Sequence, residues 1–336
     1  MNKEFPSELR YDVASGDWVV VASGRAKRPD QFKKEVRKKE ANKDNCPFCK
    51  WEDFDKVNVV FEDGKEVPEM TDNWSAISIP NKFPAFMPAE TLEERHENHL
   101  YKTMNAVGYH EVIITRDHEK SLGELPLSKV REVLALYRQR NIELIKKKFV
   151  NYVSIFHNHG VEAGASIAHP HSQIITTPLI DVDLNKALSK GRDHYNNEKS
   201  CLYCKMNEWE LKKRDRIVHE NDLFIAVCPF ASKSAFQVII SPKKHLAYFE
   251  KITEEELDLL ADSFSKVLSK LYKGLGDPPY NFYLHCAPSD GMDHGYYHWH
   301  WTIIPKTSTW AGFELGARME ISTIRPEDAA KYLREQ

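Results

Sequence analysis

No run of apolar residues in this 336-residue sequence approaches the ~20 that a membrane helix needs; the longest, such as the one around Phe236 to Ile240, stop far short. Charge of one sign is not in excess either. The 47 Lys and Arg stand against 50 Asp and Glu, a formal net charge of −3, so neither nucleic acid nor a membrane surface is an expected partner. Met1-Asn2-Lys3-Glu4-Phe5-Pro6 has no apolar stretch behind its charges and does not read as a secretory signal, so a cytoplasmic location is expected. Compositional bias is missing too: with 41% apolar and 29% charged residues the chain is neither disordered nor fibrous. Its length supplies cores for two ordinary domains without disulfides.

Any phosphate site must therefore be local. Between Arg25 and Glu40 eight basic residues meet three acids. Lys33 to Lys39 reads as a solvated face, which leaves Arg25 and Arg28 as the residues of interest.

Cysteines are few, but four of the six are paired by spacing, as Cys46-Pro47-Phe48-Cys49 and Cys201-Leu202-Tyr203-Cys204. In a reduced compartment such a pair is a redox dithiol or half of a metal site. A thioredoxin-type motif occurs once, beside a βαβ pattern; here the pair recurs and spaced histidines follow each copy. That favours zinc, which takes four soft or borderline ligands in a tetrahedron. His118 and His169 complete the set with Cys46 and Cys49, and His245 and His298 with Cys201 and Cys204. From second Cys to single His is 69 residues in one copy and 41 in the other, and from there to the H-x-H 51 and 53. Cys228 and Cys286 have no such partners and read as small buried side chains.

A periodic segment occupies the same place in both copies. Val130, Val133, Leu134, Leu136, Tyr137, Ile142 and Ile145 fall near helical spacing within 128–147, after Pro126 and with Ser128 as the cap. Leu257, Leu260, Phe264, Val267, Leu268 and Leu271 do the same within 253–272. Each is followed by a β-rich run, 152–156 or 280–284, and then by the H-x-H. The self-similarity predicts an α+β fold of two tandem halves, 1–185 and 195–336, with antiparallel strands and packed helices, joined through the polar stretch 185–200. Trp299 and Trp301 are expected in the core. His157, His159, His285 and His294 are hydrogen-bond partners of the two rows or solvated loop residues.

If His169-Pro170-His171-Ser172-Gln173 is extended, alternation puts His169, His171 and Gln173 on one face, with Ile174 and Ile175 anchoring the row. Pro170 cannot donate to a ladder, so a free edge or a local break is expected there. With His169 assigned to the metal, His171 is held two positions away and is not needed as a ligand.

These residues form a series with Gly16-Asp17-Trp18-Val19-Val20-Val21, Arg25-Ala26-Lys27-Arg28-Pro29, Phe156-x-Asn158-x-Gly160, Gly164-Ala165-Ser166 and Gly312-Phe313-Glu314. Over essentially the whole chain the series resembles the galactose-1-phosphate uridylyltransferase branch of the histidine-triad superfamily. The resemblance implies two tandem histidine-triad-like domains, with His171 as a nucleophile that attacks an α-phosphorus and holds the nucleotidyl group as a phosphoramidate. A backbone carbonyl accepting from its other ring nitrogen would fix the reactive tautomer. Hydrolytic members resemble H-x-H-x-H; here Gln173 holds the third place. An amide can bind phosphoryl oxygens without taking a proton, which favours transfer over hydrolysis.

The same resemblance places Arg25 and Arg28 at the nucleotide phosphates, and Asn81, Phe83, Phe156 and Asn158 at the base and ribose, although core packing accounts equally for Phe83 and Phe156. It makes Ser166 a hydrogen-bond donor to a phosphate and brings Glu314 to the sugar hydroxyls from the other subunit of a homodimer. The second row, His298, His300 and Thr302, lacks the amide, so its cluster is expected to be structural, with zinc or iron. The completeness of that cluster resembles ADP-glucose phosphorylase-like members. The expected reaction is transfer of UMP between UDP-glucose and galactose 1-phosphate. The alternative is an adenylyl-transferring relative, an ADP-glucose phosphorylase or a dinucleoside-polyphosphate phosphorylase. A zinc-stabilised nucleic-acid-binding module is disfavoured by the acidic balance.

Overall fold

The computed structural model describes residues 7–22, 29–33 and 43–336. In its first half follow β1 (Glu8–Tyr11), β2 (Trp18–Val21), β3 (Val59–Glu62), β4 (Lys65–Val67), β5 (Ala76–Pro80), the hairpin β6 (Glu94–Glu97) and β7 (Tyr101–Met104), β8 (His110–Thr115), α1 (Leu127–Leu144), β9 (Tyr152–His159) and β10 (His171–Thr177). The second half contains α2 (Val182–Glu198), α3 (Leu202–Lys213), β11 (Ile217–Glu220), β12 (Phe224–Val227), β13 (Val238–Pro242), α4 (Glu254–Leu275), β14 (Tyr280–His285), β15 (His300–Pro305), α5 (Gly312–Ala317), β16 (Ile321–Ser322) and α6 (Pro326–Arg334).

Eleven strands form one sheet in the order β11-β12-β13-β15-β14-β9-β10-β8-β5-β3-β4. All its pairings are antiparallel, as the α+β reading expects. The two halves meet in this sheet at β9 and β14. A smaller sheet, β1-β2-β16, brings the two ends of the chain together.

One face of the large sheet is covered by α1 and α4. Alternation sends Ile155, Ile174, Phe282, Trp299, Trp301 and Ile303 to that side, against Val133, Leu134, Leu260 and Phe264. Trp299 and Trp301 are fully buried there. Cys228 and Cys286 belong to the same core. The opposite face carries the two H-x-H rows.

The helix ends show how the chain is punctuated. α4 starts in a capping box between Thr253 and Glu256, which satisfies otherwise unpaired backbone N–H groups, and stops at Gly276 with φ +73°, where a side chain would be strained. α1 starts two residues earlier than a Ser128 cap would allow. Pro126 occupies its cap position with no side-chain hydrogen bond, and Ser128 lies within the first turn. The polar stretch 185–200 is helical: Asp181 caps α2 by accepting from the N–H groups of Asp183 and Leu184, and Leu184 and Leu188 are buried beneath it.

α1 is fixed to the sheet by a buried ion pair. Arg140 donates through Nε and Nη2 to Glu111 of β8 at 2.7 and 2.6 Å, and Ser78 donates to the same carboxylate at 2.8 Å. Removing one partner of such a pair costs about 3–5 kcal/mol, because the other is left buried and uncompensated. Gly108 lets β8 enter close to β10: a Cβ there would lie 2.1 Å from the Thr176 carbonyl oxygen. No described helix is long and apolar enough to cross a membrane.

Candidate active site and metal clusters

The first C-x-x-C turn, the segment after β8 and the residue two before β10 bring four candidate ligands together. The atoms of Cys46, Cys49, His118 and His169 that can bind a metal lie within 4.8 Å of one another. Cys49 Sγ is 3.1 Å from His118 Nδ1, and Cys46 Sγ is 3.5 Å from His169 Nδ1. His169 donates from Nε2 to the Thr115 carbonyl at 2.7 Å, so its Nδ1 lone pair is the one turned into the cluster. Burial holds this imidazole down to about 4, which keeps it in the neutral form a metal requires. Burial pushes the Cys49 thiol up to about 11, with Cys46 beside it adding to the effect. Two adjacent sulfurs ionise together when a cation sits between them, and two thiols with two neutral imidazoles form a set suited to a tetrahedral divalent ion.

The second cluster repeats this construction. Cys201, Cys204, His245 and His298 also converge within 4.8 Å, with Cys204 Sγ 3.5 Å from the Nδ1 of both histidines. His298 donates from Nε2 to the Pro242 carbonyl at 2.9 Å and His245 to that of Gly295 at 2.7 Å. His245 is exposed, whereas His118 is buried.

β10 begins at His171, and it has partners on both sides, β8 and β9. Pro170 therefore marks a local break just before the strand, not a free edge. His171 Nδ1 lies 2.9 Å from the carbonyl oxygen of His169. The ring must carry its proton there, leaving the Nε2 lone pair free of that duty. Burial lowers the pKa of His171, so the ring is neutral near pH 7. Phe48, from between the two cysteines, meets the rings of His169 and His171 edge-on at 5.8 and 5.1 Å.

Gln173 shares the face of His171, and Ile175, half-buried, does too; Ile174 alone of the two isoleucines points into the helical core. Gln173 Oε1 is 2.8 Å from His110 Nε2, and the Ala85 N–H donates to His110 Nδ1 at 3.1 Å. Those two contacts select the His110 tautomer with its proton on Nε2, which donates to Gln173 and turns the amide N–H₂ away. His110 was not singled out in the sequence. Its signal is the alternation of 110–115, which shares a face with the row only once the register of β8 against β10 is known.

The implied substrate contacts are distributed unevenly. Phe156 is half-buried and pairs with Gln173 across β9 and β10. Asn158 lies two residues on and accepts from Asn281 at 2.7 Å. Asn81 approaches His110 Nε2 at 3.0 Å. Phe83 is 83% exposed, which rules out core packing for it. Ser166 is exposed. Glu314 accepts from the Ala311 N–H at the start of α5, among the exposed Phe313 and Leu315. Arg25, Arg28 and the lysine run beyond Lys33 lie outside the described residues.

The neighbouring histidines divide by face. His157 bonds Ser172, which also meets Tyr137, on the helical side of the sheet. His159 pairs with Asp277 and His294 with Asp290. His285 stacks on His300 at 4.8 Å.

Residues 1–180 match the profile of the galactose-1-phosphate uridyl transferase N-terminal domain, and residues 188–334 that of the C-terminal domain. The chain belongs to the galactose-1-phosphate uridyl transferase family. An ADP-glucose phosphorylase of Arabidopsis thaliana is 31% identical over 98% of this chain and 92% of its own. A galactose-1-phosphate uridylyltransferase of Thermotoga maritima is 29% identical over 98% of each. A solved structure of an Arabidopsis thaliana ADP-glucose phosphorylase with bound ADP-glucose superposes with a TM-score of 0.80 at 28% identity, covering 98% of this chain and 99% of the other. Within the uridyl transferase family, this chain has one H-x-H row ending in Gln173 and another ending in Thr302.

Proposed function

We propose that the chain is a nucleotidyltransferase that passes UMP between UDP-glucose and galactose 1-phosphate in two displacements, with His171 as the nucleophile. The contact between His171 Nδ1 and the His169 carbonyl carries this reading. In the first step the Nε2 lone pair attacks the α-phosphorus; a P–N bond forms, and the P–O bond to the sugar phosphate breaks with its electron pair. In the second an acceptor phosphate oxygen attacks the same phosphorus, and the pair of the P–N bond returns to Nε2. The proton stays on Nδ1, donated to the His169 carbonyl throughout, and that hydrogen bond steadies the cationic ring. Gln173, held by His110, offers its N–H₂ to a phosphoryl oxygen, and its amide is no base that could take a proton from water.

Arg25 and Arg28 serve the phosphates in this reading, Asn81, Phe83, Phe156 and Asn158 the nucleoside, and Ser166 the phosphate. Glu314 reaches the sugar in a cytoplasmic homodimer, and 1–185 and 195–336 are the two domains. Cys46, Cys49, His118 and His169 would hold one zinc and Cys201, Cys204, His245 and His298 another, each cross-linking loops that the fold alone brings together.

A second reading has AMP in place of UMP, and the 31% identity to an ADP-glucose phosphorylase over 98% of this chain favours it. Separate incubation with UDP-glucose and ADP-glucose, each labelled in the α-phosphate, followed by alkaline trapping of the protein, tests the two. Label from the uridine donor supports the first reading, label from the adenosine donor the second, and label from neither overturns both.

A further inference from the structure

A straight row of directly paired residues crosses the centre of the large sheet on the face of the H-x-H rows: Val112, Gln173, Phe156, Tyr283, Thr302 and Ile239. It reads alike from both ends, with Gln173 matched by Thr302 and Phe156 by Tyr283. His300 then answers to His171, and it is tuned in the same way, with Nδ1 3.1 Å from the carbonyl oxygen of His298. Its Nε2 is left as an acceptor.

In front of His300 lies a cavity of ≈ 740 Å³, the size of a small-molecule site. Tyr283, His285, His300 and Thr302 form its floor, and Tyr203 and Tyr11 are on its walls, whereas His171, Gln173 and Phe156 do not line it. The floor is aromatic: His300 is stacked on His285 at 4.8 Å, Tyr203 lies tilted 5.1 Å from His300, and Tyr283 meets His285 edge-on at 5.0 Å. Such walls hold a planar ring.

The charges do not suit a phosphate. Three of the four lining cations are matched, Lys233 with Asp17 at 3.0 Å, Arg216 with Glu210 at 2.8 Å and Lys205 with Glu208 at 2.9 Å, and the fourth, Lys213, lies over the Trp209 ring at 5.2 Å. Asp12 and Asp183 add acids to the same wall.

We infer that this cavity is a second ligand site, for an uncharged heteroaromatic compound of nucleoside size that donates an N–H to His300 Nε2. Geometry and charge give the class; the choice of nucleosides as probes rests on the reading of Phe156 and Asn158 above.

Equilibrium dialysis of labelled uridine and adenosine against the intact, metal-loaded protein tests it, with Ala187→Trp, a substitution on α2 that fills the cavity and leaves every strand residue unchanged. Binding of one nucleoside that persists in Phe156→Ala and weakens at least tenfold in Ala187→Trp is the expected result. Unchanged affinity in Ala187→Trp, loss in Phe156→Ala, or no binding to the wild type at millimolar nucleoside overturns the proposal. His300→Ala, read by the same criterion, replaces Ala187→Trp if that variant does not fold. Displacement of the nucleoside by UMP under conditions where Phe156→Ala still binds would overturn the assignment to an uncharged ligand. A protein that failed to form a covalent nucleotidyl adduct would refute the transferase reading while leaving these binding outcomes intact.

Discussion

Phe156 and Tyr283 stand directly opposite each other where β9 and β14 join the two halves. Each is flanked by the third residue of its own H-x-H row, Gln173 on one side and Thr302 on the other. The duplication therefore extends from sequence into the register of the sheet, and the two imidazoles differ chiefly in what stands two residues after them.

That difference makes the clusters unequal in their effects. Phe48 joins the first cluster to His171, whereas Tyr203 joins the second cluster to His300. Cys49→Ala, which removes a ligand from the cluster that Phe48 joins to His171, should lower the rate of exchange by about tenfold or more, since loss of even a group behind a metal ligand costs that much. Cys201→Ala should lower the melting temperature and the metal content by one ion per chain while the rate stays within about threefold. Metal analysis, thermal melts and exchange rates on the two variants measure all of this.

His110 is predicted to act through Gln173. In His110→Ala the amide loses the donor that orients it, so kcat should fall by about tenfold to a hundredfold with KM little changed. Gln173→Ala should fall further, by about 10²–10³, the usual loss for a donor to a developing oxyanion. In the double variant the losses should not add, because His110 has no effect once the amide is gone. Steady-state kinetics of the three proteins decide this.

The two Cys/His clusters were legible because residues that could hold a metal ion impose spacings. Cys46, Cys49, His118 and His169 had to be near one another for any ion to be held, and that requirement is readable in a linear chain. The role of His110 was not, because it depends on the register of β8 against β10, a long-range property. α2 looks like a polar connection in the sequence since its buried residues are few: Leu184 and Leu188 are outnumbered by exposed polar ones, and its Asp181 cap precedes the stretch. Ser128 misled at α1 because a serine two residues after Pro126 looks like a cap, and the proline itself takes that place. The cavity before His300 has no sequence signature, since strands, two helices and the turn after β1 build it together.

Acid stability should depend on Glu327. It accepts from Arg10 at 3.0 Å and Arg216 at 2.8 Å, tying α6 to β1 and to the start of β11. Burial alone would raise its pKa, but the two guanidiniums override that and hold it down to about 2. An unfolded glutamate titrates near ~4.3. The folded value is the lower one, so this contribution is complete above about pH 4.3 and disappears as the pH falls toward 2. Glu327→Gln should melt lower than the wild type at pH 7, and the gap should close between about pH 4.3 and 2. Thermal melts at a series of pH values check the sign: a gap that widens on acidification would contradict it.

The most direct test of the central claim is the intact mass of the protein after incubation with a nucleotide-sugar donor and no acceptor, with peptide mapping of any adduct. One nucleoside monophosphate per chain on the imidazole of His171, lost in His171→Gly and discharged by adding a hexose 1-phosphate, is the predicted result. An adduct on any other residue, or full exchange activity in His171→Gly without added imidazole, would contradict it.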